Sequence, residues 1–186
     1  MIAGTHYFLG AGQSGGCMYN GNHYQLMADY NQWINQQLYT VCAGLSDEQR
    51  TSDRGAFFKS IHGTLNHILW GDRMWLTRFK VHAYPQARIG EELYADFDQL
   101  FAERKVMDAA IRQWAGTLDE AWLQQPLTFA SIIDGKTRSA PNWIFVTQLF
   151  NHQTHHRGQV TTLIKQCGVD PGVMDIPWMP GAIDYV

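Results

Sequence analysis

The chain has 186 residues, of which 45% are hydrophobic and 17% are charged, a length and composition typical of one folded domain rather than a multidomain or disordered protein. Acidic residues outnumber Lys and Arg by 17 to 14, so the net charge of −3 repels nucleic acid, which we exclude as an expected partner. The longest apolar runs contain only a few residues, and the sequence therefore predicts no membrane-spanning helix.

Residues 1–17 are predicted to be a flexible extension that precedes the folded domain. The segment up to residue 16 contains five glycines and no apolar run long enough for a secretion signal, whereas strong helical patterning starts just after Met18. We therefore expect one domain over residues 18–186. No Cys-x-x-Cys pair is present in the sequence, which predicts neither a disulfide framework nor a thiolate zinc site, and a reducing cytoplasm is the expected location.

Four segments place apolar residues three and four positions apart, the spacing of one helix face. They predict helices over residues 22–43, 57–81, 94–115 and 143–167. Asp134-Gly135 is a dipeptide favoured in tight turns, which predicts a small hairpin between Leu127 and Ala140. The sequence thus predicts an all-α fold, a four-helix bundle with a small hairpin insertion before helix four and an irregular, proline-rich tail.

Three of the eight histidines crowd into one and a half turns of the fourth predicted helix. His152 and His156 lie four positions apart on its apolar stripe, so both face inward, about 6 Å apart along the helix axis and within reach of one cation. His155 falls on the polar side and is excluded as a ligand. The alternative is a pair of core histidines satisfied by hydrogen bonds, or a solvated polar patch; a third ligand would distinguish these.

His67 is the best candidate for the third ligand. It lies in the middle of the second predicted helix, with Gly63 and Gly71 one turn away on either side. Each glycine costs about 1 kcal/mol relative to alanine inside a helix, so the pair indicates a close approach of backbone or ligand, or else tight helix packing. Three histidines leave coordination positions open, as in catalytic metal sites, and zinc suits imidazole ligands, with nickel, iron and cobalt as alternatives.

Two charged residues near the candidate ligands are assigned to the surface. Asp72 follows His67 by five positions, about 140° around the helix, so we expect a surface salt bridge with Arg73 or Arg78 rather than a general base. Arg157 is expected to face solvent; the alternative is that it orients an anionic substrate.

Aromatic residues are numerous for this length, with 7 Trp, 8 Tyr and 9 Phe. Most are expected to fill the core, and Trp70 and Trp75 are candidates for the mouth of a pocket. Surplus rings on an outer face would favour a homodimer.

Three motifs carry a resemblance to a known family. The first predicted helix contains DYNQWIN (29–35), the second LNHILWGDRMWL (65–76) and the fourth FNHQTHHRGQV (150–160). In order and spacing these motifs resemble the DinB/YfiT-like family of bacterial damage-inducible proteins, over about residues 18–172. The resemblance implies a four-helix bundle with a divalent metal held by one histidine of helix two and the His-x-x-x-His pair of helix four, which match His67, His152 and His156.

Family members whose chemistry is understood resemble metal-dependent transferases of low-molecular-weight thiols, and others resemble hydrolases or a thiol-dependent isomerase. The resemblance therefore favours a transferase that joins a small thiol to a small electrophile, with zinc or nickel as the implied metal and no further catalytic residue assigned. A metal-dependent hydrolase and a non-catalytic metal-binding stress-response protein are the alternatives, although no His-Glu-x-x-His motif is present to supply a general base for hydrolysis. Homodimers are common among the proteins it resembles.

Overall fold

The structure is a computed structural model that describes residues 21–182, and the predicted flexible extension at residues 1–17 lies outside the described residues. The elements in chain order are α1 (Gly21–Ala43), α2 (Asp47–Thr51), α3 (Ile61–Arg78), α4 (Phe97–Ala115), α5 (Glu120–Gln124), β1 (Pro126–Ala130), β2 (Thr137–Pro141) and α6 (Asn142–Gln166).

The four long helices, α1, α3, α4 and α6, form a bundle, and an antiparallel hairpin of β1 and β2 precedes α6. Helix α1 packs against α4 and α3 packs against α6, while further contacts of α1 with α6 and of α3 with α4 close the bundle. The predicted all-α four-helix bundle with a hairpin insertion is therefore confirmed.

The apolar stripes of the four long helices meet in one core. Each helix contributes fully buried side chains, among them Ile34, Leu38, Leu69, Leu100 and Val160. Full burial of one such side chain contributes about 1.5–3 kcal/mol. Because the stripes recur at the helical period, their burial fixes how each helix is rotated about its axis and therefore which polar side chains face the interior.

Helix α3 begins four residues later than predicted, at Ile61, because Ser60 caps it. The Ser60 hydroxyl accepts a hydrogen bond from the Gly63 amide at 3.0 Å. Lys59, just before the cap, has a positive φ of 66°, which turns the chain sharply. As a result, Phe58 lies outside the helix and its side chain folds back onto α3.

The hairpin pairs Pro126 with Pro141 and Ala130 with Thr137. Its two strands are joined by residues 131–136, a longer loop than the tight turn that the sequence predicts. Gly135 has a φ of 68° in this loop, a conformation that glycine adopts without steric cost. The hairpin and the connection of residues 79–96 both lie beside α3.

The tail after α6 is irregular, as predicted, apart from one 3-10 turn at Ile176–Trp178. The Tyr30 hydroxyl of α1 donates a hydrogen bond to the Met174 carbonyl at 2.7 Å, and Met179 is buried against the core. The tail therefore lies over the bundle. Within residues 21–182, the helices are too short or too polar to cross a bilayer.

Candidate metal centre

His67, His152 and His156 meet between α3 and α6. The Nε2 atoms of His67 and His152 are 3.0 Å apart, and one ring nitrogen from each of the three histidines lies within 4.8 Å of the other two. No described carboxylate or thiol joins this cluster. The structure therefore brings together the three side chains that the sequence predicts as ligands, and their binding of a metal stays a prediction.

Gly71 permits the close approach of α3 and α6. It lies one turn after His67, and a Cβ atom at this position would be 2.6 Å from Cε1 and 3.0 Å from Nδ1 of His152. A side chain at position 71 would overlap the His152 imidazole. The histidine cluster therefore requires glycine at this position. Gly63 has a separate role, because a Cβ atom there would lie 2.3 Å from the Phe58 carbonyl oxygen.

Two aromatic rings enclose His67. Phe58 stacks on its imidazole at a centroid distance of 3.7 Å, and Trp70 stacks at 5.4 Å. Phe58 also contacts the His156 ring edge-on at 5.5 Å. These rings keep His67 and His156 more than nine-tenths buried. Trp75, the other tryptophan considered for a pocket mouth, is instead buried in the core.

Burial keeps the three imidazoles neutral. It lowers the pKa of His67 to about 3, with further contributions from His152 and His156, and it lowers the pKa of His152 to about 4. Burial also lowers the pKa of His156, against the opposing effect of its hydrogen bond with Gln159. The neutral form carries the lone pair that a metal requires, so burial prepares all three side chains for that role.

One pair of nitrogen atoms is spaced as in a tetrahedral site of a divalent metal, whereas the three-histidine cluster as a whole spans up to 4.8 Å. Zinc–nitrogen bonds of about 2.0–2.1 Å place ligand nitrogens about 3.3 Å apart, close to the observed 3.0 Å between His67 and His152. The Nδ1 atoms of these two histidines are buried and have no hydrogen-bond partner in the described part of the chain. His156 donates from Nδ1 to Oε1 of Gln159 at 2.9 Å, which leaves the lone pair of its Nε2 free.

The other histidines of the described chain lie outside the cluster. His155 is exposed, in agreement with its exclusion as a ligand, and His82 is also exposed. His62 is buried and its Nε2 lies 2.8 Å from the Tyr94 carbonyl oxygen. His23 is partly buried, and His6 lies outside the described residues.

A second group of buried polar side chains lies beside the neighbouring stripe of α6. We call it the core polar network; its seven members are Asn31, Asn35, Asp72, Arg104, Asp108, Gln153 and Arg157. Arg104 forms ion pairs with Asp72 and, at 2.8 Å, with Asp108. Gln153 donates to Asp72 at 2.7 Å, and Asn35 donates to Asp108 at 2.9 Å.

The network corrects two predictions. Asp72 does not form a surface salt bridge with Arg73 or Arg78, because its direction on α3 points to α4, where Arg104 is buried with it. Arg157 does not face solvent; it is buried and donates hydrogen bonds to Asn31 and, at 3.0 Å, to Gln153.

Sequence reasoning missed the other network members, although one signal was present. Arg104 and Asp108 fall on the apolar stripe of α4 that also holds Leu100, Met107 and Ile111. A charged pair four positions apart on an apolar stripe indicates buried, mutually paired charges.

A bundle of four long helices with three convergent histidines between α3 and α6 defines the class of this chain: a helical-bundle protein with a candidate metal centre. A sequence model of the DinB family matches residues 18–183, and the chain belongs to the DinB family.

The chain is similar to two further proteins. Protein DinB of Bacillus subtilis (strain 168) is 23% identical over 144 residues, which cover 75% of this chain and 83% of that protein. The crystal structure of a DinB-like protein from Bacillus cereus ATCC 10987 matches with a TM-score of 0.58 and 22% identity, over 76% of this chain and 91% of that one. At this identity the structural match supports the fold.

Proposed function

We propose that His67, His152 and His156 hold one divalent metal ion and that the protein is a transferase that joins a low-molecular-weight thiol to a small electrophile. The observation that carries this proposal is the convergence of three neutral imidazoles from two helices, without a carboxylate or thiol from the described chain. Three protein ligands leave a tetrahedral or five-coordinate metal open to a small molecule. Imidazole ligands favour zinc or nickel.

When bound, a divalent metal lowers the pKa of a coordinating thiol and so supplies a thiolate at neutral pH. The residues of the chain hold the site in shape: Gly71 admits the His152 ring, and Gln159 orients the His156 ring. Phe58 and Trp70 stack on the His67 ring and shield it from water. In the net reaction a carbon–sulfur bond forms, the bond to the leaving group breaks with its electron pair, and the thiol proton leaves with that group.

Hydrolysis is supported less well than thiol transfer. Many metal-dependent hydrolases place a carboxylate general base beside the metal, and the histidine cluster has no described carboxylate beside it. Asp72, the nearest acidic residue to His67 along α3, is held by Arg104 and Gln153 in the core polar network.

Metal content is the first test. Protein purified without a histidine tag is measured by elemental mass spectrometry beside a variant in which His67, His152 and His156 are all changed to alanine. We expect about one equivalent of zinc or nickel in the wild type and none in the variant. His155→Ala, which removes an exposed histidine from the same turn, is the matched control and should retain the metal. A metal-free wild type that takes up no added zinc or nickel would overturn the proposal.

Turnover separates the reaction classes. If the protein consumes a test electrophile only when both metal and thiol are present, the result supports the transferase. Metal-dependent ester cleavage without thiol would identify a hydrolase instead, and stoichiometric metal with neither activity would indicate a non-catalytic metal-binding protein.

A further inference from the structure

A cavity of about 200 Å3 lies next to the histidine cluster, with Trp70 as part of its wall. Helix α3, the connection of residues 79–96 and the hairpin enclose it, and we call it the Arg78 cavity; its lining includes Trp70, Met74, Arg78, Tyr84, Gln86 and Ile132. Its volume is that of about six or seven molecules of liquid water. The cavity therefore has room for a group of the size of an amino acid.

The cavity and the histidine cluster lie along one face of α3. Arg78 follows His67 by eleven positions, which is three turns and about 20° of rotation, so the two residues are aligned about 16 Å apart along the helix axis. The Arg78 guanidinium lies 4.9 Å from the ring of Trp75, a residue one turn nearer to His67. Trp70 both lines the cavity and stacks on His67.

The cavity contains one positive charge that the described chain does not neutralise. Of its two arginines, Arg73 bonds to the Glu103 carboxylate at 2.9 Å and to the Tyr94 hydroxyl at 2.7 Å. Arg78 contacts only aromatic rings, with its guanidinium 4.0 Å from the centre of the Phe129 ring. Partial burial lowers the pKa of Arg78, and no described carboxylate opposes this effect.

A stacked guanidinium with free N–H groups is suited to a carboxylate. The aromatic faces hold the plane of the group, while its edge presents two parallel donors that match the two oxygens of a carboxylate. An anionic group in the cavity would also offset the charge that the fold leaves partly buried.

We propose that the Arg78 cavity binds a carboxylate of the thiol substrate, whose sulfur lies at the three-histidine site. The thiol is then a peptide-like acid long enough to reach from the metal site past Trp70 into the cavity. This inference rests on the proposed function, because that function places the sulfur beside His67.

Binding can be measured without turnover in cobalt(II)-loaded protein, because thiolate coordination to cobalt gives a charge-transfer absorption band. The protein is titrated with glutathione, a tripeptide thiol with two carboxylates, and with glutathione diethyl ester, which has the same thiol and neither carboxylate. We expect the wild type to bind the acid at least about tenfold more tightly than the ester. Arg78→Gln should abolish this preference by weakening the acid alone.

Arg138→Gln is the matched control. Arg138 lies on β2 of the adjoining hairpin, where it pairs with Asp134 at the exposed surface, outside the cavity lining. This variant should retain the full preference for the acid. Circular dichroism melting curves establish that each variant is folded; if Arg78→Gln does not fold, the wild-type comparison of acid with ester decides, and equal affinities overturn the inference.

The outcomes separate this inference from the proposed function. Thiolate bands with both ligands, and a preference for the acid that depends on Arg78, support both. Thiolate bands with no preference, or a preference that Arg78→Gln leaves intact, overturn the cavity as a carboxylate site and leave the metal site standing. Failure to bind cobalt, or bound cobalt without a thiolate band, overturns the proposed function and this inference with it.

Discussion

Helix α6 carries two buried polar groups on neighbouring stripes, and they differ in how completely they are satisfied. His152 and His156 face α3, whereas Gln153 and Arg157, each one position later, join the core polar network with α1, α4 and Asp72 of α3. Every member of the network bonds to another member, although Nε of Arg104 has no hydrogen-bond partner among the described residues. In the histidine cluster, by contrast, buried ring nitrogens have no partner in the described chain.

The comparison shows that burial of polar groups alone does not identify a functional site. In the network, two arginines and two aspartates balance in charge, so the group is closed and holds the helices together. In the cluster, burial keeps the side chains uncharged and leaves lone pairs available. The core polar network therefore supports the structure, whereas the histidine cluster is prepared for a ligand.

Arg104→Met should give the largest loss of stability among the substitutions, because it breaks the core polar network. The change leaves Asp72 and Asp108 buried without the guanidinium that pairs with both. Removal of one partner from a buried ion pair costs about 3–5 kcal/mol, and urea unfolding followed by circular dichroism measures the loss. Arg112→Met removes an exposed ion pair with Asp29 and should cost no more than about 1 kcal/mol. Equal losses of unfolding free energy in the two variants would contradict a stabilising role of the core polar network.

Gly71→Ala should disturb the histidine cluster. The new methyl group would displace the His152 ring, so we expect a loss of about 1–3 kcal/mol and a fall in metal affinity of at least about tenfold. Unfolding curves and competition with a metal chelator give the two values. Gly158→Ala on α6 is the control, because its Cβ would meet nothing within 4 Å. That variant should gain about 0.5–1 kcal/mol of stability and keep its metal affinity, and the same result for Gly71→Ala would refute the close-approach role.

Acidification should weaken the metal-free protein between about pH 6.5 and pH 4 through its histidines, and the pKa of buried Asp72, raised to about 6, should offset part of this loss. In the folded state the pKa values of His67 and His152 are lowered to about 3 and about 4, whereas an unfolded histidine titrates near 6.5. The unfolded chain therefore binds more protons in this interval, and stability decreases as pH falls through it.

Denaturant midpoints measured against pH should fall less steeply for His152→Gln. His155→Gln, at an exposed position, should follow the wild type; identical curves for all three proteins would contradict the pKa shifts.

Periodicity within single helices explains what could be predicted from the sequence. The spacing of apolar residues gave the four helices, and the inward stripe of α6, with the glycines around His67, brought the three histidines together. The same reasoning misplaced Asp72: its rotation from His67 was right, but that direction meets Arg104, which lies 32 positions along the chain. A pairing between two helices depends on how they pack against each other, and the periodicity of one helix does not predict that packing. The stacking of Phe58 on His67 was missed for the same reason, because it requires the early Ser60 cap.

The position of the histidines in the chain has a consequence for folding. His67 and His152 are 85 positions apart, so an ion held by both would close about half of the described chain into a loop and act as a reversible crosslink between α3 and α6. Stability would then rise with the concentration of free metal, by about 1.4 kcal/mol for each tenfold increase above the dissociation constant. The melting temperature would in this way report how much metal is available around the protein.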